Sequence, residues 1–252
     1  MNTTTADALR RSKGLDVSQG NGIVDWVQVR HSDYEFAFVR ATEGGDVVDA
    51  SFTTNRRGAR TAGFDVGYSH LFRPSVPVDD QVNNFLKAVV DLEMDALCPV
   101  LVLEEGEAWN KFTVPERVQM IVEFCSKVKR ALGSTPMLSG SYTLFTQTLL
   151  SHGDLALYDL WISNFNEGDP TVPKPWLTWS FWRFQRKGTV SGITGEVELS
   201  CFNGSNIARA RHKRDEVVDE TPLPPLVEQL WNVAIGLYFI GLLAVVLEWV
   251  CR

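Results

Sequence analysis

The chain has little cysteine, little histidine and no excess of positive charge, and each shortage narrows what it can be. Its four cysteines, Cys98, Cys125, Cys201 and Cys251, and its four histidines are scattered through 252 residues. No metal-type spacing results, so no metal and no cofactor is expected, and the thiols read as reduced and structural. With 24 basic against 31 acidic residues and a net charge of −7, the broad basic footprint needed for nucleic acid is excluded. The first residues lack the basic and apolar regions of a secretory signal. Internal repeats and low-complexity tracts are absent too, and up to about Ser205 no apolar run is long: Gly, Pro, Asn and Asp punctuate them, as in a globular core.

The exception comes at the end of the chain. Between residues 230 and 250 the sequence turns predominantly apolar, with Asn232 and Glu248 near its ends, and Val233 to Leu247 carries no charge. A helix of roughly 20 such residues reaches about 30 Å, the thickness of a bilayer core. Trp231 and Trp249 sit where membrane interfaces favour indoles. Four segments are therefore expected: an N-terminal extension (1–12), an α/β barrel (13–205), a charged and Pro-rich linker (206–226) and a single membrane-spanning helix (227–252). The lipid bilayer is the expected partner of residues 230–250. A terminal helix buried in the fold, or docked on a partner protein, is the alternative.

Within the barrel region, apolar runs of strand length fall at 14–17, 36–41, 64–69, 100–103, 136–139, 160–163, 179–184 and 197–202. Helical periodicity falls between them at 78–92 and 115–132, the latter with Pro115 in its first turn. Strands alternating with helices predict a mostly parallel sheet, and eight strands predict a single (β/α)8-like barrel. Residues 150–205 leave little room for long helices, so the barrel is expected to be irregular and incomplete in its last third.

Three of these runs carry acids at their ends: Asp16, Glu104 and Glu198. In a closed α/β sheet such ends converge on one face, where distant carboxylates can meet around a substrate. Paired carboxylates suit glycosidic cleavage, which needs a proton for the leaving oxygen and negative charge near an oxocarbenium-like centre.

The segments Gly14-Leu15-Asp16-Val17-Ser18-Gln19-Gly20, Phe38-Val39-Arg40-Ala41-Thr42-Glu43-Gly44, Gly63-Phe64-Asp65-Val66-Gly67 with His70, Leu160-Trp161-Ile162, and the stretch 182–204 resemble, in order, the muramidases of glycoside hydrolase family 25. The resemblance implies a β/α barrel that hydrolyses the β-1,4 bond between N-acetylmuramic acid and N-acetylglucosamine, with peptidoglycan glycan strands as partner. It implies Glu104 as proton donor, with Asp16 and Glu198 as the other catalytic carboxylates. Asp16 also reads as a turn-forming residue that caps the backbone after it. His70, Trp161, Trp182 and Arg183 are candidate substrate-binding residues; a structural hydrogen-bond donor is the alternative for His70, and core packing for the tryptophans. A membrane-tethered lysin or virion-associated enzyme of a bacterial virus, acting on the cell wall from a host or virion membrane, is the expected setting.

The sequence also departs from the family pattern. Val102 stands where an aspartate precedes the acid by two residues, and in a strand those two positions share a face. Glu198 stands for an aspartate and is longer by one methylene. Ser69 and Ser139 stand for tyrosines, and Arg183 for a glutamine. Arg183 could bind a substrate carboxylate or pair with Glu198. A catalytically impaired barrel that binds glycan, or serves as a structural module, is accordingly the alternative function.

Overall fold

The computed structural model describes residues 11–89 and 97–210. The expected eight strands form, at close to the expected places: β1 (Lys13–Val17), β2 (Phe36–Glu43), β4 (Asp65–Leu71), β5 (Val100–Val102), β6 (Met137–Ser141), β7 (Leu160–Ser163), β8 (Phe181–Gly188) and β9 (Val197–Phe202). An additional two-residue strand, β3 (Val47–Val48), pairs with the end of β2. Strands β1, β2 and β4 to β8 run parallel; β9 lies antiparallel between β8 and β1, and the β1–β2 pairing completes the ring. The sheet is thus a closed eight-stranded barrel, and no gap opens in its last third.

The helices are α1 (Trp26–Arg30), α2 (Phe52–Thr61), α3 (Val78–Val89) and α4 (Val114–Leu132). The first turn of α4 is written in the sequence. Thr113 and Glu116 form a reciprocal capping box, with the Thr113 N–H donating to Glu116 Oε2 at 2.7 Å, and Pro115 needs no N–H partner there. The helix stops at Gly133, whose φ of 66° is left-handed. The irregularity expected of the last third lies outside the sheet: after α4 the strands are joined by loops and single 3-10 or π turns, with no α-helix among the described residues.

Alternation sorts the side chains into two cores. Phe36, Phe38, Leu71, Val100, Val102, Met137, Trp161 and Phe181 fill the barrel interior, while a larger cluster lies between sheet and helices. Gly14 and Gly67 make the interior possible, since a Cβ on either would meet the ring of Phe36 or Phe38 at 2.2 and 2.3 Å. The short turn Ile207–Ala210 seals the barrel's far end, with Ile207 buried in the interior cluster, so packing continues past residue 205. Cys98, Cys125 and Cys201 are free thiols.

The expected membrane helix (227–252), residues 211–226 of the expected linker and residues 1–10 of the expected extension lie outside the described residues. Among the described residues no helix is long and apolar enough to cross a membrane.

Candidate active site

A cavity of about 770 Å³ opens at the end of the barrel where the parallel strands terminate, lined among others by Asp16, Val102, Glu104, Trp161, Arg183 and Glu198. Chain direction explains why Glu198 belongs to it. It sits near the start of β9, and because β9 runs antiparallel, its start lies at the same end as the carboxyl termini of its neighbours. In register Asp16 and Glu198 face each other across the β1–β9 pair.

The floor is organised by Arg183. Its Nε donates to Asp16 Oδ2 at 2.8 Å and lies 3.0 Å from Glu198 Oε2, while Nη1 donates to Ser163 Oγ at 3.1 Å. Ser200 Oγ donates to the same Asp16 oxygen at 3.2 Å. Burial pushes the Asp16 carboxyl up to about 7; the Arg183 guanidinium opposes this, and the neighbouring Glu198 charge adds to it. Arg183 is itself held charged: burial works against it, but the Asp16 and Glu198 carboxylates outweigh that. Of the two uses open to Arg183, the structure shows the pairing with Glu198, extended to Asp16.

The wall is built differently. Val102 points inward from β5 and presents an isopropyl group to the cavity, 8% exposed. Glu104 follows two residues later, half-exposed at the rim; its Oε2 accepts from Arg73 Nη1 at 3.1 Å and its main-chain carbonyl accepts from the Trp109 indole at 2.8 Å. Arg73 also donates through Nε and Nη2 to Glu43 Oε1 at 2.8 and 2.6 Å. Glu105, next along, accepts a hydrogen bond from Ser141.

Two expected binding residues lie elsewhere, and strand parity is the reason. His70 follows the inward-facing Ser69 and therefore faces outward. It is fully buried between sheet and helices, its ring stacked on Phe124 with centroids 4.9 Å apart. Burial holds its imidazole down at about 4, so it stays neutral. Trp182 precedes the inward-facing Arg183 and packs on the outside of the barrel, its indole donating to the Asn164 carbonyl at 2.6 Å. Neither can touch a sugar in the cavity. Trp161 does reach it, as floor: the guanidinium of Arg183 lies 4.7 Å over its ring and Phe38 packs at 4.4 Å, which leaves no open face for stacking. Asp16 Oδ1 and Trp161 Nε1 are buried without a protein partner, so the floor keeps one acceptor and one donor uncommitted.

Residue-by-residue reading missed Arg73 and Glu43. Glu43 ends β2 and Arg73 lies two residues past the end of β4, both beside the rim where Glu104 stands, so applying the strand-end signal to every charge would have found them.

The family model described as "Glycosyl hydrolases family 25" matches residues 15–193. The chain is similar to the uncharacterized protein YegX of Escherichia coli K12, 30% identical over 197 residues that span 76% of this chain and 70% of that one. It is also similar to Lysozyme M1 of Streptomyces globisporus, 28% identical over 211 residues, 77% of this chain and 68% of the relative. Among solved structures it superposes on a bacterial lysozyme from Streptomyces coelicolor with a TM-score of 0.76 at 26% identity, covering 80% of this chain and 96% of the other.

Proposed function

From the premise that this chain belongs to glycosyl hydrolase family 25 and is a glycosidase of the muramidase kind, we propose that it cleaves the β-1,4 bond between N-acetylmuramic acid and N-acetylglucosamine in peptidoglycan, with Glu104 as proton donor. One observation carries the assignment: Glu104 stands at the rim of the cavity whose floor holds Asp16 and Glu198. A sugar lying across that opening meets a carboxyl that can protonate the leaving oxygen. Beneath it lie Glu198 and Asp16, the latter ionised only above about pH 7, and their negative charge favours developing positive charge at the anomeric carbon. Asp16 and Glu198 do this as a set with Arg183, which restrains them and takes up part of their charge. Mass spectrometry of digested peptidoglycan tests the reading. Muramic acid at the new reducing ends is the expected product, and Glu104→Gln lowers turnover by roughly a hundredfold or more. Cleavage of a different bond, or turnover untouched in Glu104→Gln, refutes it.

Val102 and the Arg183 pairing favour a second reading, a barrel that binds glycan with little turnover. Valine offers the substrate amide no hydrogen-bond acceptor, and the floor's two acids are already engaged. Saccharide binding without product, with cleavage appearing in Val102→Asp combined with Glu198→Asp, selects this reading; ready hydrolysis by the unaltered chain removes it.

The apolar run 230–250 supports a further proposal, that the enzyme is tethered to a bilayer by a single span behind a linker that ends near residue 226. A lytic or virion-borne enzyme of a bacterial virus, working on the cell wall from a membrane, suits that arrangement.

A further inference from the structure

Two amide side chains of α3 are buried in the layer between sheet and helices, and both spend their hydrogen bonds on main chain next to Arg73 and Glu43. Gln81, fully buried, donates through Nε2 to the carbonyls of Arg73 at 3.0 Å and Val76 at 2.9 Å, and its Oε1 accepts the Arg73 N–H at 2.9 Å. Asn84, one turn on, donates through Nδ2 to the carbonyls of Gly44 and Val47, each at 3.0 Å. A buried amide is tolerated only when bonded, and here the partners are main-chain groups beside the cavity rim.

His70 completes the set, and its proton can be placed. The Gln81 amide nitrogen is committed to two carbonyls, so Oε1 is the atom that faces His70 Nε2 at 3.2 Å. An amide oxygen only accepts, hence Nε2 carries the hydrogen, and Nδ1 accepts from the Thr42 hydroxyl at 2.7 Å. Burial keeps the ring neutral, in agreement with this one-proton assignment. Thr42, His70, Gln81 and the main chain of Arg73 thus form one continuous strut, and Arg73 extends it to Glu104.

We propose that Gln81, braced by His70, is a positioning residue for Glu104: it clamps the Arg73 main chain on both sides, so that the guanidinium bridges Glu43 and Glu104 and selects one rotamer of a half-exposed acid. The inference rests on the reading of Glu104 as proton donor. It gives His70 a purpose that contact with substrate does not supply, and it explains why polar groups are kept in the layer between sheet and helices.

The test compares Gln81→Met, His70→Phe, His70→Gln and Arg73→Met in the full chain, with kinetics on solubilised peptidoglycan, thermal melting and a crystal structure of Gln81→Met. Gln81→Met is expected to lower kcat roughly ten- to a hundredfold, with KM within about twofold, because misplacing a reacting group by about 1 Å is costly. His70→Phe keeps the stacking on Phe124 but loses both bonds, and should behave likewise. His70→Gln restores a donor toward Gln81 Oε1 and should recover activity over His70→Phe. Arg73→Met alters a half-exposed side chain, so it should lose kcat without losing melting temperature even if Gln81→Met fails to fold. Unchanged kcat in Arg73→Met or in folded Gln81→Met, or a loss expressed only in KM, overturns the proposal. Should the unaltered chain hydrolyse nothing, the muramidase reading fails by itself and the crystal structure decides this one. Arg73 and Glu104 drawn apart in Gln81→Met supports the strut; the contact kept near 3.1 Å refutes it.

Discussion

Asp16 is the residue whose surroundings most alter its chemistry. Its carboxyl is raised from an ordinary 3.8 to about 7 by burial that Arg183 only partly offsets. Between those values the folded chain holds a proton that the unfolded chain has released, so stability falls as pH rises from about 4 to about 7, and the penalty is fully present above 7. Asp16→Asn removes the titration. Its unfolding free energy, from urea titrations at pH 4, 5.5 and 7, is expected to fall less steeply across that range than the parent's, by an amount on the order of a few kcal/mol. Equal slopes would show that the carboxyl titrates at its ordinary value. Asp16, Glu104 and Glu198 were visible in the sequence because each is an acid at the end of an apolar run. The sharing of Arg183 was only half visible, since its pairing with Glu198 follows from residue types whereas its contact with Asp16 depends on the β1–β9 register.

At the scale of elements, the strands and the two long helices were legible, and the reasons others were not are physical. Helix α4 buries a continuous apolar stripe at helical spacing, and α3 buries one interrupted by Gln81 and Asn84. The sequence of α2, FTTNRRGART, buries Phe52, Asn55 and Ala59 at helical spacing, but only two of these are apolar and Gly58 is kept small where a Cβ would strike Trp26 at 2.3 Å, so its stripe is too thin to read from apolar residues alone. His70 and Trp182 were misplaced by a single step of strand parity, which moves a side chain from cavity to outer layer. Glycines in the strands mark where the interior is tightest. Gly67→Ala puts a methyl 2.3 Å from Phe38, which lies in the cavity floor. The expected cost is about 2 to 3 kcal/mol of unfolding free energy, with weaker saccharide binding because Phe38 is displaced. Urea denaturation and a binding titration measure both, and a neutral result would mean that the ring has room to move.

For the molecule as a whole, the closed sheet was expected from the count of strands, but the way it closes was not. No pattern within 197–202 distinguishes a strand that runs antiparallel, and only the short connection from β8 suggests a hairpin. The acidic net charge gives the chain no overall electrostatic attraction to an anionic bilayer, and the acidic block 215–220 offsets the basic cluster 209–214 beside it, so the proposed tether would act through the apolar run. Flotation on neutral and anionic vesicles is therefore expected to carry the full chain upward equally on both, and to leave a version truncated near Pro222 at the bottom. Flotation only on anionic vesicles, or of the truncated form, would contradict a hydrophobic tether.

One guanidinium serving two acids also limits how this cleft can change. Replacing Arg183 by a neutral side chain leaves the buried Asp16 facing the partly exposed Glu198 with no cation between them, and a third acid at position 102 adds to the demand on the single cation. Neither exchange stands well on its own. Ancestors or engineered descendants with a different complement of acids would have to be reached by substitutions made in company, and the order in which they were made would be constrained by folding before it was constrained by catalysis.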